Sequence, residues 1–458
     1  MLRLKTAAAA HLFLSTFLLF SIGAALCVQG HSEFHEDLLL YRSQDALFAH
    51  RIPSNERGIP RMDRRRFLAA GVAVAMTARS YGQILGANNK VGLGIIGVGR
   101  RGRIVGGAFL ADKRTRLTSI ADTYDVTRLK VLAELPPELP KPAAYNAYED
   151  LLAREDVDAV LISTPDHLHV TVAQAALAAK KHVYLEKPTL HRWHEKDELI
   201  RAAQQQKRLL QCGMQQRSGA HYKKAKQEFF DSGKLGQVVL ARAVWHDFSW
   251  QRRNIPDAPK PPGLDWKRFL GPAPHVPYET VRYDSWRYFH DYGNGLLADI
   301  LTHWADVAQW MLNDVSPQSA YATGGIYSLH DQRDNPDTVS AVIKYQNWNL
   351  NFESSVLPLR DDRPSVLFEG TNGLLELARD GYTFTPIKGE VVRVDTTESL
   401  ERAHTKNFLD AITQGETLNA PLEAGVAASL PVLMAVKSYW LKTAVTSPDE
   451  RIPIRKSS

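Results

Sequence analysis

The residue types that could do chemistry fall in four short stretches. "LEKP" sets Glu186, Lys187 and Pro188 at the end of an apolar run. "GNGLLADILTHWAD" follows a flexible turn at Gly293 and Gly295 with Asp299 and His303, four residues apart and so on one face of a helix. "TPDHLH" supplies Thr164, Pro165, His167 and His169, and "GVGRRG" spaces Gly97, Gly99 and Gly102 as G-x-G-x-x-G. An ammonium such as that of Lys187 can bond a reacting hydroxyl and stabilise negative charge on it. An imidazole such as that of His303 can take a proton and return it, and a nearby carboxylate favours its charged form. Asp299, His303, His167 and His169 are also metal-ligating types, but no three sit at a tight ligand spacing, so no metal site is expected.

The glycine stretch has a different use. Gly97 permits a tight turn, Gly99 lets backbone approach a pyrophosphate, and Gly102 allows a helix to pack closely on a strand. Context makes the pattern specific. Residues 91–96 read as a buried parallel strand before the loop, and a helix-like segment follows it. "RLTSIADTYD" reads as a second strand ending at Asp122, placed to bind ribose hydroxyls. "VDAVLISTPDHLH", "AAKKHVYLEKP" and "KRLLQCGMQQR" give three more strands with helices between them. That alternation predicts an α/β fold with a doubly wound parallel sheet. The Asp122 carboxylate would repel a 2′-phosphate, so NAD is favoured over NADP, against the opposing signal of Arg100, Arg101 and Arg128.

Residues 236–247 open a second domain as a strand, and "TVSAVIKYQ", "NLNFESSV", "SVLFEGTNG" and "LLELARD" continue it. Between them lies an insert, 248–290, rich in Pro, Trp and Tyr and too long for an idle hairpin. Aromatic faces stack on sugar C–H groups and arginines fork to hydroxyls. Trp286, Arg287, Tyr288 and His290 lead straight into the Asp299–His303 helix and, with Arg217, are the substrate-side candidates; most other insert aromatics are expected to form a small core. The last apolar stretch, "AGVAASLPVLMAVKSYWLKTAV", reads as a packing helix rather than a membrane span, since Lys437 and Lys442 interrupt it.

A net charge of +6 is carried by scattered Lys and Arg, which gives no nucleic-acid footprint. Two cysteines, Cys27 and Cys212, exclude a disulfide framework and a cysteine-based zinc site. Residues 1–30 have a basic start and an apolar run, like a secretory signal or an anchor. "DRRRFLAAGVAVAMTA" then forms a twin-arginine export signal: Arg64 and Arg65 are the pair, followed by Arg66, Phe67 and Leu68. Two export signals in series make little sense. The expectation is that Met62 is the true start, with 1–61 an over-extended frame, disordered or an anchor. Residues 62–88 are then the signal segment, 89–215 the dinucleotide-binding domain and 216–458 the substrate and oligomerisation domain. The expected location is the periplasm, or membrane-anchored if residues 1–30 are retained.

"GIIGVGRRG", "STPDHLHVTVAQAALAAKKHVYLEKP" and "YGNGLLADILTHWADVAQWML", in this order, resemble the Gfo/Idh/MocA oxidoreductases, named for glucose–fructose oxidoreductase and inositol dehydrogenase. The resemblance runs from about Asn89 to the C-terminal region. It implies an N-terminal Rossmann domain, a C-terminal α/β domain with a large, mostly antiparallel open sheet, bound NAD or NADP, and a sugar, cyclitol or related polyol as substrate. Lys187 would lie in the active site, with Asp299 and His303 in the catalytic centre and His303 as general base. Thr164, Pro165, His167 and Glu186 would contact the cofactor near its nicotinamide end, beside Gly97, Gly99, Arg100, Arg101, Gly102 and Asp122 at the other parts of the dinucleotide. A cis bond before Pro188 and a dimeric or tetrameric assembly are further implications. The family's glycine run is commonly three glycines, where this chain reads Gly-Asn-Gly. Two other functions use the same residues: glycoside cleavage by transient oxidation, elimination and re-reduction on the same NAD, or a cofactor-bound binding protein without turnover.

Overall fold

A computed structural model describes residues 90–246, 255–329, 331–356 and 364–447. The expectations for 1–61, for the export segment 62–88, and for the start of the aromatic insert lie outside these residues.

The first sheet is wholly parallel. Its strands are β1 Val91–Ile96, β2 Thr115–Ala121, β3 Ala143–Tyr145, β4 Ala159–Ile162, β5 His182–Leu185 and β6 Leu210–Cys212, in the order β3-β2-β1-β4-β5-β6. Every residue of β1, β4 and β5 is buried, as strands covered on both faces must be. Helices α1 Arg100–Leu110, α2 Asp125–Glu134, α3 Tyr148–Leu152, α4 His169–Ala178 and α5 Glu195–Gln206 provide that cover. The five expected strands are present; β3, "AAY", is too short to show a period and was not foreseen. Strand order reverses between β1 and β4, so a crevice opens beyond their C-terminal ends, where ligands bind in such sheets.

Helix α6, Ala220–Ala225, leads to the second sheet. That sheet has nine strands: β7 Val238–His246, β8 Ser319–Gly325, β9 Thr338–Lys344, β10 Asn349–Ser355, β11 Ser365–Gly370, β12 Gly373–Ala378, β13 Gly381–Pro386, β14 Val392–Asp395 and β15 Val445–Thr446. Only the β7–β10 pairing is parallel. Alternation is clean: Ala241, Ala243 and Trp245 of β7 point inward with Leu350 and Phe352 of β10, while Tyr321, Val342 and Leu374 stand on the open face. Between β7 and β8 the chain forms α7 Trp266–Leu270, α8 Thr280–Asp284 and α9 Thr302–Leu312, the last entered through a π-helical turn at Leu297–Leu301.

The C-terminal helices tie the two sheets together. From α10, Leu400–Gln414, Phe408, Leu409 and Ile412 enter the first sheet's core beside Val105 and Phe109 of α1 and Tyr184 of β5. From α11, Leu422–Leu441, residues Leu422 and Ala428 join the core on the other side, while Val432 and Ala435 pack into the second sheet's core. Helix α11 is long and apolar enough to cross a membrane by length and composition alone, yet most of its apolar residues are buried in these cores.

Candidate active site

The crevice continues as one cavity of about 890 Å³ from the glycine loop to α9. At the dinucleotide end, Gly97 takes φ +83°, and a Cβ there would lie 2.6 Å from the Ser163 carbonyl oxygen. A Cβ on Gly102 would lie 2.1 Å from the Gly97 carbonyl oxygen, so bare glycine is what lets α1 approach β1. A Cβ on Gly99, by contrast, would meet nothing within 4 Å, which leaves its backbone open toward the cavity at the N-terminus of α1. The Asp122 carboxylate accepts hydrogen bonds from the amides of Val98 at 3.0 Å and Tyr124 at 3.1 Å, so it also braces the loop. Burial raises its pKa, despite those two amides and the charge of Arg128. Arg128 is turned to the Asp122 carbonyl oxygen, and Arg101 donates to Glu186 at 2.8 Å and Glu401 at 3.1 Å. Arg101 thus joins α1, the end of β5 and α10. Arg100, Thr164 and Pro165 line the cavity, and Thr164 Oγ1 is buried without a hydrogen-bond partner among the described residues. The open glycine backbone, the ribose-side carboxylate and this hydroxyl all fit a dinucleotide.

The far end is built by β5 and α9. The Lys187–Pro188 peptide is cis. The Lys187 ammonium donates to the Asp299 carboxylate and, at 2.9 Å, to its carbonyl oxygen. Arg287 Nε stands 3.4 Å from the same carboxylate, with its guanidinium 4.0 Å over the Trp286 ring. Burial works to raise the Asp299 pKa, but the Lys187 and Arg287 charges hold it below the usual carboxylate range. His303 is buried and its pKa is driven well down, first by desolvation and then by Lys187, Arg379 and Arg101. It is therefore a neutral imidazole, and its Nδ1 has no hydrogen-bond partner among the described residues. Glu186 also lines the cavity, and a Cβ on Gly213 would lie 2.9 Å from its carboxylate, so the glycine makes room for it.

Four expected site residues lie elsewhere. The short 3-10 turn Asp166–Leu168 rotates His167 away from the cavity; its Nε2–H donates to the Phe269 carbonyl oxygen at 3.0 Å, and His169 faces the cavity instead. Arg217 pairs with buried Asp306 at 2.8 Å, under the Trp310 ring. Tyr288 is buried beneath Arg333, and His290 accepts from Arg192 at 2.8 Å beside Trp440. Another 3-10 turn, Trp286–Tyr288, causes the split, since neighbours on so tight a turn point different ways. The remaining insert aromatics do cluster, with Trp266 stacked on Phe269 at 4.9 Å and Tyr283 and Tyr292 against Phe269. Missed lining residues are Gln215, Trp245, Arg379 and, from the insert, Asp265, Lys267 and Arg268. Trp245 had a signal, as an inward position of a strand; Arg379 sits on a hairpin turn whose placement depends on the whole second sheet. No group of three His, Cys, Asp or Glu side chains able to hold a metal occurs among the described residues.

Residues 91–214 match the family described as "Oxidoreductase family, NAD-binding Rossmann fold", and residues 266–376 match its "GFO/IDH/MocA C-terminal domain". The chain belongs to the GFO/IDH/MocA oxidoreductase family. Its first sheet is accordingly an NAD-binding Rossmann fold. Myo-inositol 2-dehydrogenase of Thermotoga maritima is 24% identical over 370 residues, 77% of this chain and 97% of that protein. A glycosyl hydrolase family 109 protein of Shewanella amazonensis is 31% identical over 177 residues, 36% of this chain and 38% of that protein. Among solved structures, the WlbA dehydrogenase of Bordetella pertussis, in complex with NADH and UDP-GlcNAcA, is 18% identical with a TM-score of 0.60, covering 78% of this chain and 99% of that one. In this GFO/IDH/MocA protein the two halves of the family fold face one cavity, with Glu186 and Lys187 on the Rossmann side and Asp299 and His303 opposite.

Proposed function

We propose that the protein interconverts a secondary hydroxyl and a keto group on a sugar, cyclitol or related polyol. The nicotinamide of bound NAD supplies the two-electron chemistry, as donor or acceptor of hydride. The chain's own residues manage the proton and the charge. His303, held neutral by burial and by three nearby cations, takes the hydroxyl proton and returns it in reverse. The Lys187 ammonium, held by Asp299, stabilises the negative charge that grows on the substrate oxygen. Trp286 offers an apolar face to the sugar ring. The observation that carries this reading is the convergence of Lys187, Asp299 and His303 on one cavity that also reaches the glycine loop. The myo-inositol 2-dehydrogenase matched over most of its length supports the substrate class.

A second reading has its own support in the 31% identity to a glycosyl hydrolase family 109 protein. There the same residues would oxidise a glycoside transiently, so that elimination and re-reduction cleave it without net NADH. One experiment separates the two. The folded protein is purified, its dinucleotide is identified by mass, and a panel of polyols and glycosides is added while nicotinamide absorbance and products are followed. Net reduction with a keto product supports the first reading; glycoside cleavage without net reduction supports the second; neither result on any substrate sinks both. The open face around Tyr321, Val342 and Leu374 is proposed to pair with a second copy, checked by light scattering. Export by the twin-arginine route from Met62 is proposed from Arg64, Arg65 and Phe67, and abundant peptides from 31–61 in the native protein would overturn it.

A further inference from the structure

Two polar rungs join the loop after β5 to the segment that opens α9. The first is the Lys187–Asp299 pair. The second is further from the cavity: Asn294 Nδ2 donates to the His191 carbonyl oxygen at 3.0 Å and lies 3.3 Å from His191 Nδ1. Burial drives His191 well below the ordinary imidazole range, so its ring is neutral and Nδ1 can accept. Both amide hydrogens of Asn294 are thus spent on one residue, which an aspartate in its place could not do. Asn294 is also where the helical run begins, since its carbonyl oxygen accepts from the Ala298 amide at 3.3 Å, and Asp299 comes next. A glycine on each side makes room. A Cβ on Gly293 would lie 3.1 Å from the Trp286 ring; Gly295 takes φ +56°, and a Cβ there would lie 2.9 Å from the Asn335 side chain. Asn335 holds the turn from the second domain, donating to the carbonyl oxygens of Arg287 at 3.3 Å and Gly293 at 3.4 Å. Asn294, Asn335 and His191 are all buried, and none of them lines the cavity.

We propose that Asn294 and Asn335 are positioning residues: gripping the 293–295 turn from two sides, they set how the Asp299–His303 segment enters the cavity and hold both groups opposite Lys187. The inference rests on the hydride reading above and adds the residues that fix its geometry. The Lys187–Asp299 pair alone does not fix it, because an ammonium on a four-carbon stem follows its carboxylate through small displacements. Hydrogen bonds from short amide side chains to main-chain carbonyls tolerate no such drift. Neutral amides also do this without adding charge beside His303. A displacement of about 1 Å arising outside the chemistry can cost about a hundredfold in rate, so the register of this turn matters as much as the groups it carries.

Asn294→Ala and Asn335→Ala are made in the full chain and studied with NAD bound. On any substrate the panel yields, each should lower kcat by about tenfold to a hundredfold. KM and the dinucleotide Kd should stay within about twofold, since neither side chain reaches the ligand. A second readout needs no turnover. Lys187 and Lys181 are both buried lysines, but only Lys187 faces the turn, so Lys181 serves as an internal reference. The proteins are treated briefly with acetic anhydride, and acetylation of the two lysines is followed by peptide mass. Loss of one rung should let the Lys187 pair open more often, raising its acetylation about fivefold relative to Lys181. Unchanged kcat and unchanged relative acetylation in a folded Asn294→Ala would overturn the proposal. So would a rise of both lysines together with a fall in melting temperature, which marks general loosening. Should Asn294→Ala fail to fold, Asn335→Ala decides by the same two criteria. The outcomes separate from those of the hydride reading. Selective exposure of Lys187 in a protein that turns over no substrate leaves the positioning role standing and sinks the chemistry. Net reduction on a polyol, with both variants indistinguishable from the unaltered protein, does the reverse.

Discussion

Removing the Lys187 ammonium leaves the Asp299 carboxylate buried beside Arg287 alone. An uncompensated buried charge is costly, so Lys187→Met should lower stability by about 3 kcal/mol in denaturant titration, the low end for a broken buried pair because Arg287 remains. Adding Asp299→Asn removes the stranded charge and should restore most of that stability while activity stays lost. His303→Ala strands no charge, since the imidazole is neutral, and should lower kcat by about a hundredfold to ten-thousandfold with the bound dinucleotide retained. Equal loss of dinucleotide and activity would reassign His303 to structure. At this scale the sequence was most legible where spacing alone decides geometry: Asp299 and His303 share a helix face, and the glycine loop has fixed offsets. It was least legible at tight turns. Between His167 and His169, and between Arg287 and Tyr288, a single 3-10 turn chooses which side chain meets the cavity, and no pattern in six residues encodes that choice.

The elements that hold these residues come from three separated parts of the chain, and α10 is the one whose loss should be felt furthest from its own position. Phe408 packs edge-on to Phe109 of α1 and Tyr184 of β5, at 6.0 and 5.9 Å between ring centroids. Two turns earlier on the same helix, Glu401 holds Arg101, which holds Glu186 beside Lys187. Phe408→Ala should cost about 3–5 kcal/mol, the range for a large aromatic removed from a core. It should also weaken dinucleotide binding, because α1 carries the glycine loop on its N-terminus. A purely local effect predicts the stability loss without the change in dinucleotide Kd, so isothermal titration beside thermal melts distinguishes the two. Alternating strands and the βα rhythm were readable from period alone, and so were β7, β9, β10, β11 and β12. The edges were not: β3 has three residues and β14 four, too few for a period, and the seating of α10 against α1 joins residues some three hundred positions apart.

Taken whole, the molecule buries an unusual number of imidazoles, and this sets its response to acid. Burial pushes His167, His169, His182 and His404 each down to about 4, and drives His191, His290 and His303 well below the ordinary range. In the unfolded chain the same groups titrate near pH 6.5. Between about pH 6.5 and 4 the unfolded state therefore binds more protons than the folded one, so stability falls as pH falls, by up to about 1.4 kcal/mol per pH unit for each such group. Glu195 acts in the opposite sense: burial raises its carboxyl to about 7, so the folded state takes up a proton there before the unfolded chain does. Asp122, Asp306 and Asp331, also raised by burial, act in the same sense as Glu195, but the seven imidazoles outnumber these four carboxyls. Thermal melts at constant ionic strength should show the melting temperature falling steeply below pH 6.5, with most of the loss before pH 4.5. The acid limb of activity should follow the same curve, because His303 stays deprotonated for as long as the fold around it survives. An activity loss near pH 6.5 that precedes any change in the melting temperature would mean that His303 titrates like an exposed imidazole, and with it would go the argument that burial beside Lys187 and Arg379 keeps it poised as a base.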